Sequence, residues 1–96
     1  MKTLTFENED VVVDTGQVND GFKPYETYVK HILYKPGGSL IVEAYDTPEE
    51  ASKGHEKWVN ILTSDPLPES LMDCGNDPIN RFANTLRSNV FPLQKR

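Results

Sequence analysis

The clearest pattern in the chain runs from Ser39 to Ser64, where an apolar strand-like stretch passes directly into a helix-type repeat. The first part, 39–45, is rich in aliphatic and β-branched residues, which is typical of a buried strand. The second part carries a stripe with a 3.6-residue period. Its members are Ala51, His55, Trp58 and Leu62. We predict a strand followed by an amphipathic helix at about 48–64.

The start of this helix is well specified. Thr47 can cap it, Pro48 suits the first helical position, and Glu50 completes a capping box. Gly54 borders the apolar stripe, although a glycine within a helix costs about 1 kcal/mol relative to alanine. We therefore predict that the helix approaches the sheet closely at Gly54.

A hairpin precedes the helix. Residues 25–34 are rich in aromatic and β-branched side chains, 35–38 (Lys-Pro-Gly-Gly) read as a turn, and 39–45 form the return strand. If the loop contains only those four residues, Lys30 lies opposite Glu43. This register turns one set of side chains towards the helix and the other set towards the outer face of the sheet.

The outer set contains aromatic and aliphatic residues. They are Tyr28, Ile32, Tyr34, Ile41 and Tyr45. A two-stranded hairpin cannot bury both of its faces, and aromatic residues with a polar group are typical of partner interfaces. These five are therefore candidates for binding a partner or for homo-oligomer formation. Cover from within the chain is the alternative that we favour, since it needs no second molecule.

The segments before and after this unit are less regular. The acidic first 22 residues are expected to form short strands, at 3–6 and 11–14, or a loop. A second short helix is predicted at about 78–87, with Asp77 as its cap and Pro78 at its first position. The basic tail, 88–96, is expected to be loosely ordered.

Two apolar contacts are expected beyond the first helix. Leu71 and Met72 are predicted to close the edge of the core, and Phe91 to anchor the tail. With one core and no internal repeat, the 96 residues form a single small domain. The predicted fold class is α+β, with a small antiparallel sheet built on the 25–45 hairpin and covered by two helices.

Charge and composition exclude several classes of function. The formal net charge is −5, which opposes nonspecific attraction to nucleic acids and anionic membranes. No apolar run is long enough for a membrane span or a secretory signal. Cys74 is the single cysteine and cannot form an intramolecular disulfide, so a cytoplasmic location is expected.

The hairpin and the helix contain a set of residues that carries a family resemblance. It consists of Tyr25-Glu26-Thr27, His31, Tyr34, Gly38, Ile41-Val42-Glu43, Tyr45-Asp46-Thr47, Glu49-Glu50-Ala51, Gly54-His55, Trp58-Val59 and Leu67-Pro68-Glu69-Ser70-Leu71. This pattern resembles a group of small proteins of tailed phages and prophages of Gram-positive bacteria. The resemblance implies a phage context, a host-cell cytoplasm and the hairpin–helix layout. It implies no reaction mechanism.

Two histidines and the cysteine are the candidates for a metal site. In the predicted register His31 faces the helix and His55 lies on the helix stripe, so the two rings are expected to approach each other. Cys74 or Asp73 would complete a set of ligand types suited to a transition metal. The spacing matches no zinc pattern, and we favour packing beside Trp58 as the role of both histidines.

No set of residues signals an enzyme. Cys74 with a histidine is the single nucleophile–base pair on offer, and no oxyanion hole or orienting residue accompanies it. We therefore expect a non-enzymatic protein without a cofactor. Its predicted function is to bind a host or phage protein, for instance as an inhibitor of a host process or defence system. The alternatives are a virion-associated accessory protein and a small-ligand or metal-binding protein that uses His31 and His55.

Overall fold

The computed structural model of the protein describes residues 1–19, 21–75 and 89–94. These residues form six strands and one helix, in the order β1 (Leu4–Glu7), β2 (Val11–Gln17), β3 (Tyr25–His31), β4 (Leu40–Tyr45), α1 (Pro48–Thr63), β5 (Ser70–Met72) and β6 (Val90–Pro92). The first four strands make an antiparallel sheet, and β5 and β6 make a separate two-stranded ribbon. The predicted α+β class is confirmed.

The N-terminal segment belongs to the main sheet. The strands expected at 3–6 and 11–14 are present as β1 and the longer β2, and β2 pairs with both β1 and β3. Val13 lies opposite Phe6 on one side and opposite Val29 on the other. The N-terminal residues therefore widen the sheet beside the hairpin and do not cover its outer face.

Helix α1 packs on one face of this sheet and encloses the core. Its first turn is capped as predicted, with the backbone N–H of Glu50 donating to Thr47 Oγ1 over 3.1 Å. The core combines inward residues of the strands with the helix and the β5 strand. It contains Val11, Val13, Val29, Tyr34, Leu40, Val42, Leu62 and Leu71.

The predicted close approach at Gly54 is confirmed. A Cβ atom built on Gly54 would overlap the hydroxyl and ring of Tyr45. Glycine is therefore required here by packing, because the helix backbone lies directly on the tyrosine ring.

The predicted register of the hairpin is wrong. Strand β3 ends at His31, and the connection to β4 spans 32–39, twice the expected length. Thr27 pairs with Glu43 but Tyr28 pairs with Ile41, so Val42 is an extra residue in a β-bulge. A one-residue bulge inverts the alternation beyond it. Glu43 therefore shares the helix-facing side of the sheet with its cross-strand neighbour Thr27.

The β5–β6 ribbon corrects the expectations for the tail. Val90–Pro92 forms a strand, and Phe91 pairs with Leu71 and packs against the core as predicted. Leu71 is buried, but Met72 is 62% exposed because successive residues of a strand point to opposite sides. The second helix predicted at about 78–87 falls within 76–88, outside the described residues, and stays a prediction.

Candidate functional site

A line of polar groups crosses the sheet beneath α1. The hydroxyl of Thr15 lies 2.6 Å from that of Thr27, which lies 2.9 Å from the hydroxyl of Tyr45. At the other end, His55 Nδ1 lies 2.8 Å from Thr15 Oγ1. We call Thr15, Thr27 and Tyr45 the hydroxyl chain. All three residues are buried, and hydrogen bonding among themselves offsets the cost of taking their hydroxyls out of water.

Glu43 stands at the Tyr45 end of the hydroxyl chain. Its Oε1 accepts a hydrogen bond of 3.0 Å from Trp58 Nε1. The same oxygen forms an ion pair with Lys57 Nζ at 2.6 Å. Partial burial favours the neutral acid, but the donors Lys57, Trp58 and Tyr45 outweigh it and lower the pKa of Glu43. Glu43 is therefore ionised at neutral pH. Burial raises the pKa of Tyr45, and the adjacent Glu43 charge raises it further.

The ionised carboxylate gives the hydroxyl chain a direction. The charge of Glu43 favours the orientation in which the Tyr45 hydroxyl points its proton towards the carboxylate, since an ionised carboxylate can only accept. Each hydroxyl has one proton, so Thr27 then donates to Tyr45, and Thr15 donates to Thr27. The remaining bond needs a proton from His55 Nδ1. This direction predicts the Nδ1–H form of His55, with a lone pair on Nε2.

The surroundings of His55 favour its neutral form. Burial lowers the pKa of His55, while the charges of Asp14 and Glu56 oppose that shift in part. A neutral ring with Nδ1 protonated can accept a hydrogen bond or bind a cation at Nε2. His55 therefore has both a structural nitrogen and a nitrogen able to take part in recognition.

The structure does not bring the predicted metal candidates together. His31 pairs with Val11 at one end of β2, whereas His55 contacts Thr15, four residues further along that strand. Four residues of strand correspond to roughly 13 Å. His31 Nδ1 instead accepts from the backbone N–H of Leu33 over 3.1 Å. Among the described residues, no group of three or more histidine, cysteine, aspartate or glutamate side chains is arranged to hold a metal.

Cys74 lies at the far edge of the sheet, where its backbone N–H donates to the carbonyl of Ile41 over 2.8 Å. The residue is exposed, yet the protein atoms around the sulfur desolvate it. That desolvation and the neighbouring Asp73 charge raise the pKa of the Cys74 thiol. A raised pKa leaves the thiol protonated at neutral pH, which opposes both nucleophilic attack and metal binding.

Two of the five residues predicted to lie on the outer face and to bind a partner do not lie there. Tyr34 is buried, and its hydroxyl donates to the carbonyl of Pro68 over 2.6 Å. Tyr45 is buried beneath α1, because the bulge at Val42 inverts its direction. Neither side chain is available on the outer face.

The other three candidates remain accessible. Tyr28 and Ile41 are direct cross-strand partners and are half-buried. Ile32 lies in the connection after β3 and is 54% exposed. The surface formed by Asp14, Tyr28, Lys30 and Ile41, on the side of the sheet away from α1, is called the outer patch below.

Polar contacts organise the outer patch around Tyr28. Interaction with the neighbouring Asp14 carboxylate raises the pKa of Tyr28, and burial adds to the shift. Lys30 Nζ lies 5.9 Å from the centre of the Tyr28 ring, within the range of a cation–π contact. Asp14 Oδ1 is buried, and no described residue donates a hydrogen bond to it.

The hydroxyl chain itself was not predicted from the sequence. The alternation Val11, Val13, Thr15 in β2 does indicate that Thr15 points inward. Nothing local indicates that Thr27 and Tyr45 join it, because the bulge that turns Tyr45 inward has no marker such as glycine at Val42.

Comparisons with protein-family models, with curated proteins and with solved structures give no match for this chain. None of the described helices is long and apolar enough to cross a membrane.

Proposed function

We propose that this chain is a small non-enzymatic protein that binds a host or phage protein through the outer patch. The observation that carries the proposal is the Tyr28–Ile41 pair. The two side chains lie directly opposite each other and stay only half-buried, while their neighbours Val29 and Leu40 on the helix side are almost completely buried.

The composition of the outer patch suits a protein partner. Tyr28 and Ile41 supply adjacent aromatic and aliphatic area, and Asp14 and Lys30 place one charge of each sign beside them. An apolar centre with charged groups at its rim is the usual arrangement of a protein interface. The formal net charge of −5 favours a partner whose contacting surface is basic.

The resemblance to small phage proteins supports the choice of partner. A phage-encoded protein of this size acts most simply by occupying a surface of a host or phage protein, and inhibition of a host process or defence system is the expected consequence.

Affinity capture from phage-infected cells tests the proposal. The tagged wild type is compared with Ile41→Lys in the outer patch and with Met72→Lys on the β5–β6 ribbon. Both substitutions add one positive charge in place of an apolar side chain, and Met72 is 62% exposed. We expect one host or phage protein to be retained by the wild type and by Met72→Lys and to be lost with Ile41→Lys.

Binding of the purified partner is then measured by titration calorimetry. An affinity loss of roughly tenfold or more for Ile41→Lys alone corresponds to removing one well-packed interface side chain. Equal retention of the partner by both variants would remove the outer patch from the proposal. Light scattering provides the further check, because a stable higher-order oligomer dispersed by Ile41→Lys would assign the patch to self-assembly, as in a virion component.

A further inference from the structure

The two edges of the main sheet differ in their backbone hydrogen bonding. At the β4 edge, the N–H of Ile41 donates to Asp73 Oδ1, and its carbonyl accepts from Cys74. At the opposite edge, β1 pairs with β2 on one side, and no described strand pairs with its other side. Strand β1 is therefore the edge at which the sheet can be extended.

The register of β1 identifies the backbone groups that face outward. The N–H of Asn8 donates to the carbonyl of Val11 over 2.9 Å, so the hydrogen-bonded positions of β1 alternate back from Asn8 through Phe6 to Leu4. The N–H and C=O groups of Thr5 and Glu7 consequently point away from β2. They form a short row of donors and acceptors suited to an added antiparallel strand.

A groove runs beside this row, between β1 and α1. Its volume is about 370 Å³, and it is lined by Thr5, Phe6, His55, Glu56, Val59 and Asn60. Phe6 and Val59 pack against the core and give the groove an apolar floor. A strand added beside β1 would place alternate side chains over this floor, because side chains of a strand alternate between its two faces.

The charges around the groove select among possible occupants. Glu56 is exposed at the wall of the groove, and Glu7 is exposed on β1 but on the other face of the sheet, because Phe6 points towards the helix. The predicted lone pair on His55 Nε2 is a further acceptor at the wall of the groove. A second copy of this chain carries the same net charge of −5, so self-pairing at this edge is opposed by repulsion. A segment with lysine or arginine beside its apolar residues is complementary to the groove.

We propose that β1 and this groove bind an extended segment of a protein partner as an additional antiparallel strand, with apolar side chains over Phe6 and Val59 and the alternate, basic side chains beside Glu7 on the other face of the sheet. This mode of recognition takes affinity from the backbone and specificity from alternate side chains. It rests on the proposed function, protein binding, and adds a second surface separate from the outer patch.

The test uses the full chain and a synthetic peptide that alternates valine with lysine. Amide hydrogen exchange and chemical shifts are followed by NMR. We expect the amide protons of Thr5 and Glu7 to become protected on addition of the peptide, whereas those of Tyr28 and Ile41 stay unchanged. A peptide that alternates valine with glutamate is the charge control and should give no protection.

A matched pair of variants isolates the backbone contact. Thr5→Pro removes an outward N–H and leaves the hydrogen bonds between β1 and β2 in place, since proline is tolerated on the open side of an edge strand. Thr5→Ala keeps the N–H. We expect the peptide affinity to fall roughly tenfold with Thr5→Pro and to be retained with Thr5→Ala, circular dichroism showing the same fold in both.

Three outcomes would overturn this inference. One is the absence of protection at Thr5 and Glu7 with the basic peptide. Another is equal affinity of the peptide for Thr5→Pro and Thr5→Ala. The third is protection of the same amides by concentration-dependent dimerisation without peptide, which would assign the edge to self-pairing. Capture of a partner that depends on Ile41 is unaffected by any of them, so failure here is distinguishable from failure of the proposed function.

Discussion

The contact between α1 and the sheet has two halves with opposite chemistry. In the apolar half, the strands present aliphatic side chains to the helix. These are Val11, Val13, Val29 and Leu40. In the polar half, the same strands present hydroxyls and a carboxylate. These are Thr15, Thr27, Tyr45 and Glu43. The four aliphatic residues and the three hydroxyl residues are buried to a similar degree, whereas the Glu43 side chain is 35% exposed. The two halves depend on different interactions.

The difference shows what each half contributes. The apolar half gains from burial in proportion to area and tolerates exchange among apolar side chains of similar volume. The polar half gains little net free energy, because its hydrogen bonds replace bonds to water. It fixes instead one relative position of helix and sheet, since every hydroxyl needs its particular neighbour. A single missing partner therefore costs more there than a small change of volume does in the apolar half.

The largest effect is expected at Gly54, where the helix backbone meets the polar half. Gly54→Ala adds a methyl group that overlaps the Tyr45 ring, and the ring cannot retreat without losing its bond to Thr27. Because the methyl group would overlap both ring and hydroxyl atoms of a buried side chain, the cost lies at the upper end of the range of about 1–3 kcal/mol for overpacking. Alanine's higher helix propensity offsets about 1 kcal/mol of it. We expect a net loss of stability of about 2 kcal/mol in urea titrations.

Ser52→Ala is the matched control for Gly54→Ala, because Ser52 is exposed on the same helix. It should leave stability unchanged or raise it by a few tenths of a kcal/mol. A Gly54→Ala variant as stable as Ser52→Ala would show that the helix does not rest on Tyr45.

The next largest loss of stability is expected when an apolar side chain replaces a polar one in the polar half, or the reverse in the apolar half. Thr27→Val leaves Thr15 and Tyr45 each without one hydrogen-bond partner, and Val29→Thr places a hydroxyl in the apolar half. Both changes leave buried polar groups unsatisfied, so each should lower the free energy of unfolding by about 1–3 kcal/mol. Thermal and urea unfolding measure both. A neutral Thr27→Val would mean that the hydroxyl chain does not contribute to stability.

The two halves were unequally predictable from the sequence. The helix, its cap at Thr47 and the requirement at Gly54 follow from local rules that act within one turn. The inward side of the apolar half follows from simple alternation in the strands. The polar half depends on the bulge at Val42, which is set by how β4 fits β3. No residue near Val42 encodes that fit, so Glu43 and Tyr45 were assigned to the wrong face.

Long-range packing also explains why the predicted metal site, His31 with His55, does not form. The predicted pairing of His31 with His55 required a shared level in the sheet. The structure places them four residues apart along β2, because α1 crosses the sheet at Thr15. The direction in which a helix crosses a sheet is a tertiary property that the period of its apolar stripe does not contain.

Acid should act more strongly on the polar half than on the apolar half. The folded pKa of Glu43 lies below the ordinary glutamate value of 4.5, so its contribution to stability is present above about pH 4.5 and is lost as the pH falls through the lowered pKa. The Glu43 side chain is 35% exposed, and solvent screening limits this contribution to less than about 1 kcal/mol. Urea unfolding at several acidic pH values should show a weaker pH dependence for Glu43→Gln.

Glu69→Gln removes the same charge from an exposed position and is the control for Glu43→Gln. If Glu69→Gln weakened the pH dependence as much as Glu43→Gln does, the contribution would come from net charge and not from the contacts with Lys57 and Trp58.

The position of the ring proton on His55 should affect stability least, but it tests the polar half most directly. The directed hydroxyl chain predicts that neutral His55 carries its proton on Nδ1, whereas His31 accepts at Nδ1 from Leu33 and carries its proton on Nε2. The two histidines should therefore show opposite tautomers in nitrogen-15 correlation spectra of the rings. Because burial lowers the pKa of His55 below 6.5, its neutral form should persist to a lower pH than in a model peptide, and its contribution to stability should rise as the pH increases through that lowered pKa.

Tyr45→Phe shows whether Glu43 sets the tautomer of His55. The variant removes the hydroxyl whose proton the Glu43 charge orients, so the direction of the remaining Thr27–Thr15–His55 bonds is no longer imposed from that end. We expect the Nδ1–H signal of His55 to weaken in favour of Nε2–H, while His31 stays as in the wild type. If the wild type already has the Nε2–H tautomer of His55, the hydrogen bonds run in the opposite direction. Tyr45 then donates to Thr27, Thr15 donates to His55, and only Lys57 and Trp58 donate to Glu43.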